Sequence, residues 1–215
     1  MKGILLLTRR GRRRLNKKEI VYFLHRYGID VLLGIALLAG MIFGAVCAGS
    51  ADKTLMQGLD FLFTSDFQSR CSQSVLSAFA ASLTANFMFF LANFLLGLSV
   101  WGSVGVPLLI GFKGFGTGLS GGYLYRCYSF SGVGFFLLVM LAGCVISTLT
   151  LIFQGRSSMA FSGSLFARVR GTAPKADQTV YRYIISNSFM LIALSISAMT
   201  DAILNSLFAG VFTFS

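Results

Sequence analysis

Acidic side chains are scarce in this chain: seven Asp and Glu in 215 residues, against 18 Lys and Arg. No apolar run carries two carboxylates, and no Ser/Lys or His/Glu constellation falls at usable spacing, so the sequence offers no catalytic site. A single histidine, His25, and four cysteines without a Cys-x-x-Cys pair are too little for a metal or disulfide framework. Charged residues of all kinds reach only 12%, about half of what a soluble domain carries. That shortage excludes an ordinary soluble globule. No strand pattern precedes the glycines at 114–122, and Lys113 comes before them rather than after, which excludes a phosphate-binding loop.

What is present is apolar. Hydrophobic residues make up 55% of the chain and the mean hydropathy is +0.78. Apolar runs of roughly 20 residues recur, the length that crosses a bilayer as a helix; barrel strands would be about half as long and would alternate. The fold class predicted is all-α, a polytopic integral membrane protein with five transmembrane helices. A net charge of +11 would suit nucleic acid, but the basic residues sit mostly at the ends of apolar runs. There they set orientation and meet membrane lipid, so no nucleic acid partner is expected.

Residues 1–30 form a basic cytoplasmic segment that includes Arg12, Arg13 and Arg14, with Tyr22, His25 and Tyr27 placed at the membrane interface. Residues 31–215 form the membrane domain, with spans at about 31–51, 75–96, 105–125, 132–153 and 183–207. A signal peptide is the rival reading of the first span. The leading basic region is too long for one, and Val46-Cys47 makes a poor lipoprotein site. Fourteen of the 18 basic residues fall in 1–30 and 154–182, and only Lys53, Arg70 and Arg126 fall on the other side. The asymmetry places the N-terminus in the cytoplasm and the C-terminus outside. Residues 52–74 read either as an amphipathic helix on the outer surface or as a solvated connector. Pro174 breaks any helix in the last cytoplasmic segment.

Small residues recur every four positions in the first span, at Ala36, Gly40, Gly44 and Ala48, and in the third, at Gly114, Gly118 and Gly122. Such stripes let helices approach closely. In the second span Ser82, Asn86 and Asn93 share a face suited to interhelical hydrogen bonds. Lys113 is the basic residue set deep in a span, and a lysine at mid-bilayer costs roughly 2.5–3.5 kcal/mol, so it needs a partner. Thr117 and Ser120 extend its polar stripe. Asp201, with Ser197 and Asn205 on its face, is the obvious counter-charge, but counting residues from the cytoplasmic side sets it more than about 10 Å away in depth. Asn86, Asn93 or a carbonyl freed by Pro107 are equal alternatives. Cys47, Cys71 and Cys127 map near the outer face and Cys144 inside the fourth span; packing residues are the default reading, with an external disulfide as the alternative.

The run Leu96-Gly97-Leu98-Ser99, then Gly102, Pro107 and Lys113-Gly114-Phe115 with further glycines, follows a first span containing Gly40-Met41-Ile42-Phe43-Gly44. With a basic N-terminus and a basic last cytoplasmic segment, this order resembles the stage II sporulation protein M family over roughly residues 25–210. The resemblance implies a membrane scaffold without catalytic residues or cofactors. It implies as partners two peptidoglycan-degrading enzymes, stage II sporulation proteins D and P. It further implies a multi-pass place in the mother-cell membrane, where the complex drives engulfment of the forespore. Self-association into a homo-oligomer is compatible with it. A different class is also compatible with the residues: a small transporter or permease-like subunit with a broken-helix site at Pro107 and Lys113.

Overall fold

The structure is a computed structural model and describes residues 17–50, 75–137, 141–172 and 180–208, with side chains described in the first helix from Tyr27 onward. Among the described residues there is no strand. Five helices follow in order: α1 (Lys17–Ser50), α2 (Val75–Leu98), α3 (Gly102–Phe135), α4 (Leu141–Val169) and α5 (Val180–Phe208). The possible amphipathic segment at 52–74, Cys71 and Pro174 lie outside the described residues.

Contacts between numbered positions give each helix its direction. Gly40 meets Gly111, Gly44 meets Phe115 and Gly122 meets Ala48, so α1 and α3 run the same way. Asn86 meets Lys113 and Leu96 meets Gly105, so α2 runs against α3. Asn93 bonds Gln154 and Gly97 touches Ser158, which sets α4 parallel to α2. Ser82 meets Asp201 while Phe94 stacks on Tyr183, so α5 opposes both. Direction therefore alternates from α1 to α5. One end of the bundle, here called the upper end, holds Ser50 and Ser129; the lower end holds Trp101 and Tyr183.

Three helices contain segments long and apolar enough to cross a membrane: Tyr27–Ser50, Val75–Leu98 and Val180–Leu207. The helices at α2 and α5 match the expected spans to within three residues. Helix α1 ends where the first span was expected to end but begins at Lys17, fourteen residues before 31, and α3 and α4 also differ from expectation. In α3 the helix is longer than the expected 105–125 and is interrupted at Ser129, whose φ of 50° and ψ of −128° reverse the chain. Beyond it Gly132 packs on the Leu124 carbonyl and Phe136 lies over Gly121. Residues 130–137 thus descend along the helix they have just left and lead into α4. A side chain at Gly132 would overlap the Leu124 carbonyl, and this tight reversal requires glycine there. The expected fourth span, 132–153, includes residues 138–140, outside the described residues. Helix α4 does not stop at Phe153 but runs to Val169. The stretch from Gln154, read from sequence as the start of a polar cytoplasmic segment, is helical and partly interior.

Surface and interior are inverted relative to a water-soluble protein. Large apolar side chains face outward on every helix, among them Ile42, Phe43, Met88, Leu108, Phe153 and Ile192. Buried positions include Ser82, Asn86, Asn93, Gln154, Ser158, Asn187 and Ser197. A hydrocarbon surround favours that arrangement, because polar groups then find partners only inside the bundle.

The joint between α1 and α3 is the tightest. A Cβ built on Gly40 would overlap the Gly111 carbonyl oxygen, and one on Gly44 that of Phe115. From the opposite side, Gly114 and Gly118 sit against the Leu37 and Met41 carbonyls, and Gly122 lies 2.8 Å from the Ala48 Cβ by the same construction. The two helices stay in this close contact for about three turns. At the upper end Arg126 donates to the Ala48 carbonyl (3.0 Å) and to that of Gly49. These are among the last carbonyls of α1, which have no partner within the helix, and a cation there also suits the helix dipole.

Candidate functional site in the bundle interior

The interior polar residues form two clusters along α2. Its buried positions, Ala78, Ser82, Asn86, Phe90, Asn93 and Gly97, follow helical spacing and make one stripe. In the upper cluster Ser82 Oγ donates to Asp201 Oδ2 at 2.8 Å, and Lys113 Nζ donates to Asn86 Oδ1 at 2.9 Å. The Lys113 ammonium also lies 4.7 Å from the centre of the Phe89 ring, within cation–π range. Thr117 donates back to the Lys113 carbonyl and stands 3.5 Å from Cys144 Sγ. Ser197 donates to the Gly143 carbonyl at 2.8 Å. Gly143 packs directly on the Asp201 carboxylate and has no room for a Cβ.

The lower cluster centres on Gln154, which is fully buried. Its Oε1 accepts from Asn93 Nδ2 (3.2 Å), and its Nε2 donates to the Phe90 carbonyl and to Asn187 Oδ1, both at 3.0 Å. Asn93 also donates to the Leu151 carbonyl. Below it, Tyr183 donates to the Phe94 carbonyl at 2.9 Å and shares a 3.1 Å hydrogen bond with Ser158. The Tyr183 ring stacks between Phe94 and Phe161, with centroids 5.3 and 4.6 Å away. Gly97 lies against this tyrosine. Between the clusters sits an apolar layer of Phe90, Leu151 and Leu194, flanked by Phe89 and Met190.

The structure brings together Asn86, Lys113 and, through Ser82, Asp201. The partners of the two charged groups are one turn apart, about 6 Å along α2, less than the offset counted from sequence. Side chains lean toward the N-terminus of their own helix, so Asp201 leans down from α5 while Ser82 and Asn86 lean up from α2. Asn93 belongs to the lower cluster. Pro107 requires a correction: α3 runs through it without a non-helical residue, and the break lies at Ser129. Pro107 falls in the second turn, where its missing N–H would have bonded only Ser103 in the first. Ser120, on the polar stripe of Lys113, donates to the Gly116 carbonyl of its own helix.

Sequence reading missed Gln154 and Ser158 because it assigned 154–182 to a polar cytoplasmic segment, and it singled out neither Tyr183 nor Asn187 within the fifth span. The available signal was the helical spacing of Gln154, Ser158 and Ser162 without an intervening breaker. It also missed the ion pair of Arg156 with Asp30, 2.7 Å, near the lower end. Among the described residues no group of three or more His, Cys, Asp or Glu is placed to hold a metal ion. Cys47, Cys127 and Cys144 are free thiols.

Compared with known proteins, the chain matches no family model, no curated protein and no solved structure.

Proposed function

We propose that the chain is a five-span membrane scaffold with a cytoplasmic N-terminus and an outer C-terminus. It holds peptidoglycan-degrading enzymes at the membrane surface. The carrying observation is the backbone-to-backbone joint between α1 and α3, secured at Gly40, Gly44, Gly114 and Gly118 and capped by Arg126. A joint without intervening side chains resists sliding, the property needed to hold partners in fixed positions. The upper end is then the outer face. It presents the Ser129 reversal with Tyr125 and Phe130 exposed. On the family resemblance, the partners are enzymes like stage II sporulation proteins D and P, and the process is engulfment during endospore formation.

The test is affinity purification of the tagged chain from its native membranes in mild detergent. Co-recovery of a peptidoglycan hydrolase, lost on Phe130→Asp at the exposed turn, supports the reading. Recovery of no envelope enzyme overturns it. The transporter alternative in its broken-helix form is not favoured, because α3 is continuous through Pro107 and Lys113.

A further inference from the structure

Helix adhesion accounts for most of the interior but not for three features. Adhesion is served by neutral polar side chains that satisfy one another, as around Gln154. It does not require a lysine and an aspartate, which are expensive to hold inside a membrane and mark proton and ion routes in such proteins. Here Lys113 from α3 and Asp201 from α5 are bonded to α2 one turn apart. The second feature is Asn93: it is fully buried, and its Oδ1 accepts no hydrogen bond. A buried amide oxygen without a donor is uncommon, and a water molecule is the usual occupant of such a position. The third is the layer of Phe90, Leu151 and Leu194, which separates the charged cluster above from this unsatisfied oxygen below. An apolar constriction between two polar compartments is how narrow pathways are held shut.

We infer that the bundle interior is a proton pathway, closed in this conformation by Phe90. The upper compartment ends at the half-buried Asp201 carboxylate, which takes up a proton from the upper face. Ser82, whose hydroxyl both donates and accepts, hands it to water that enters past Asn86 once Phe90 has moved aside. Below the plug, a water held on Asn93 Oδ1 accepts the proton. It continues past Gln154 to the hydroxyls of Tyr183 and Ser158 at the lower end. Each group returns to its starting protonation state once the proton has passed, so nothing is consumed. The charged groups facing this route are Lys113 from α3 and Asp201 from α5; α2 supplies none, and α4 supplies the Cys144 thiol beside Thr117. This pathway stands independently of the scaffold reading, since it concerns the interior of the bundle and not its outer face.

The experiment uses the purified full chain in liposomes with a trapped pH-sensitive dye and a potassium diffusion potential to drive protons inward. Phe90→Ala removes the plug and is expected to raise proton entry at least tenfold over wild type. Adding Asp201→Asn to Phe90→Ala is expected to return entry to the wild-type level. Monodisperse elution in detergent certifies each variant, and Leu151→Ala carries the test at the same layer if Phe90→Ala does not fold. A folded plug variant no more permeable than wild type overturns the proposal. So does a leak that Asp201→Asn leaves unchanged.

Discussion

Gln154 shows how much one interior side chain can hold. It joins α2, α4 and α5 through its bonds to Asn93, to the Phe90 carbonyl and to Asn187. Gln154→Leu keeps the volume but leaves Asn187 Oδ1 without its donor. Interhelical hydrogen bonds in membranes average about 0.6 kcal/mol, so losing three should cost roughly 2 kcal/mol. Reversible unfolding in mixed detergent measures this, and a change below a few tenths would show the network to be redundant. Gly143 makes the opposite case, where adding atoms is the injury. Its Cβ position is occupied by the Asp201 carboxylate. Gly143→Ala should therefore displace Asp201 from Ser82 and destabilise by roughly 1–3 kcal/mol, as overpacking does. Ser82→Ala removes the same hydrogen bond without crowding and should cost less; equal losses would mean that the overlap is relieved elsewhere.

At the scale of elements, the α1–α3 joint and the Ser129 reversal carry the clearest consequences. Gly118→Leu places a branched side chain against the Met41 carbonyl and should force the two helices apart. The expected result is loss of the folded form in detergent, whereas Gly116→Leu, at a glycine with open space around it, should be nearly neutral. At Ser129 the positive φ disfavours any residue with a Cβ. Ser129→Gly should stabilise by about 0.5–1 kcal/mol through relief of that strain, offset by the greater freedom glycine has in the unfolded chain. The small-residue stripes were legible in the sequence because period-four glycine in an apolar run has few other uses. The end of α4 was not legible. Gln154, Ser158 and Ser162 look solvated when hydropathy alone is read, and their burial depends on α2, the turn that follows it and α5 supplying partners 25 to 64 residues away. The same holds for Lys113: the sequence showed that it needed a partner, but several candidates were equal until the helices were placed.

For the whole molecule, alternating helix directions and the lengths of α3 and α4 bear on how many times the chain crosses the membrane. Composition alone marks three crossing helices. Glycine dilutes the hydropathy of α3, and Gln154, Arg156 and the serines dilute that of α4. Both are nevertheless long enough. From Gly102 to Cys127 α3 rises about 37 Å, and the 29 residues of α4 span about 43 Å, against a hydrocarbon core of about 30 Å. Since α3 is bonded along its length to α1 and α2, it crosses whatever thickness they cross. The five crossings proposed above would put Trp101 and Cys127 on opposite sides, and both are exposed at their ends of the bundle. A chain whose only cysteine is Cys127 should react with a membrane-impermeant maleimide added outside intact cells. A chain whose only cysteine comes from Trp101→Cys or Val169→Cys should react only after the membrane is opened. Labelling of positions 101 and 127 from the same side would mean that α3 does not cross, and the outer face proposed for enzyme partners would then have to be sought at another surface.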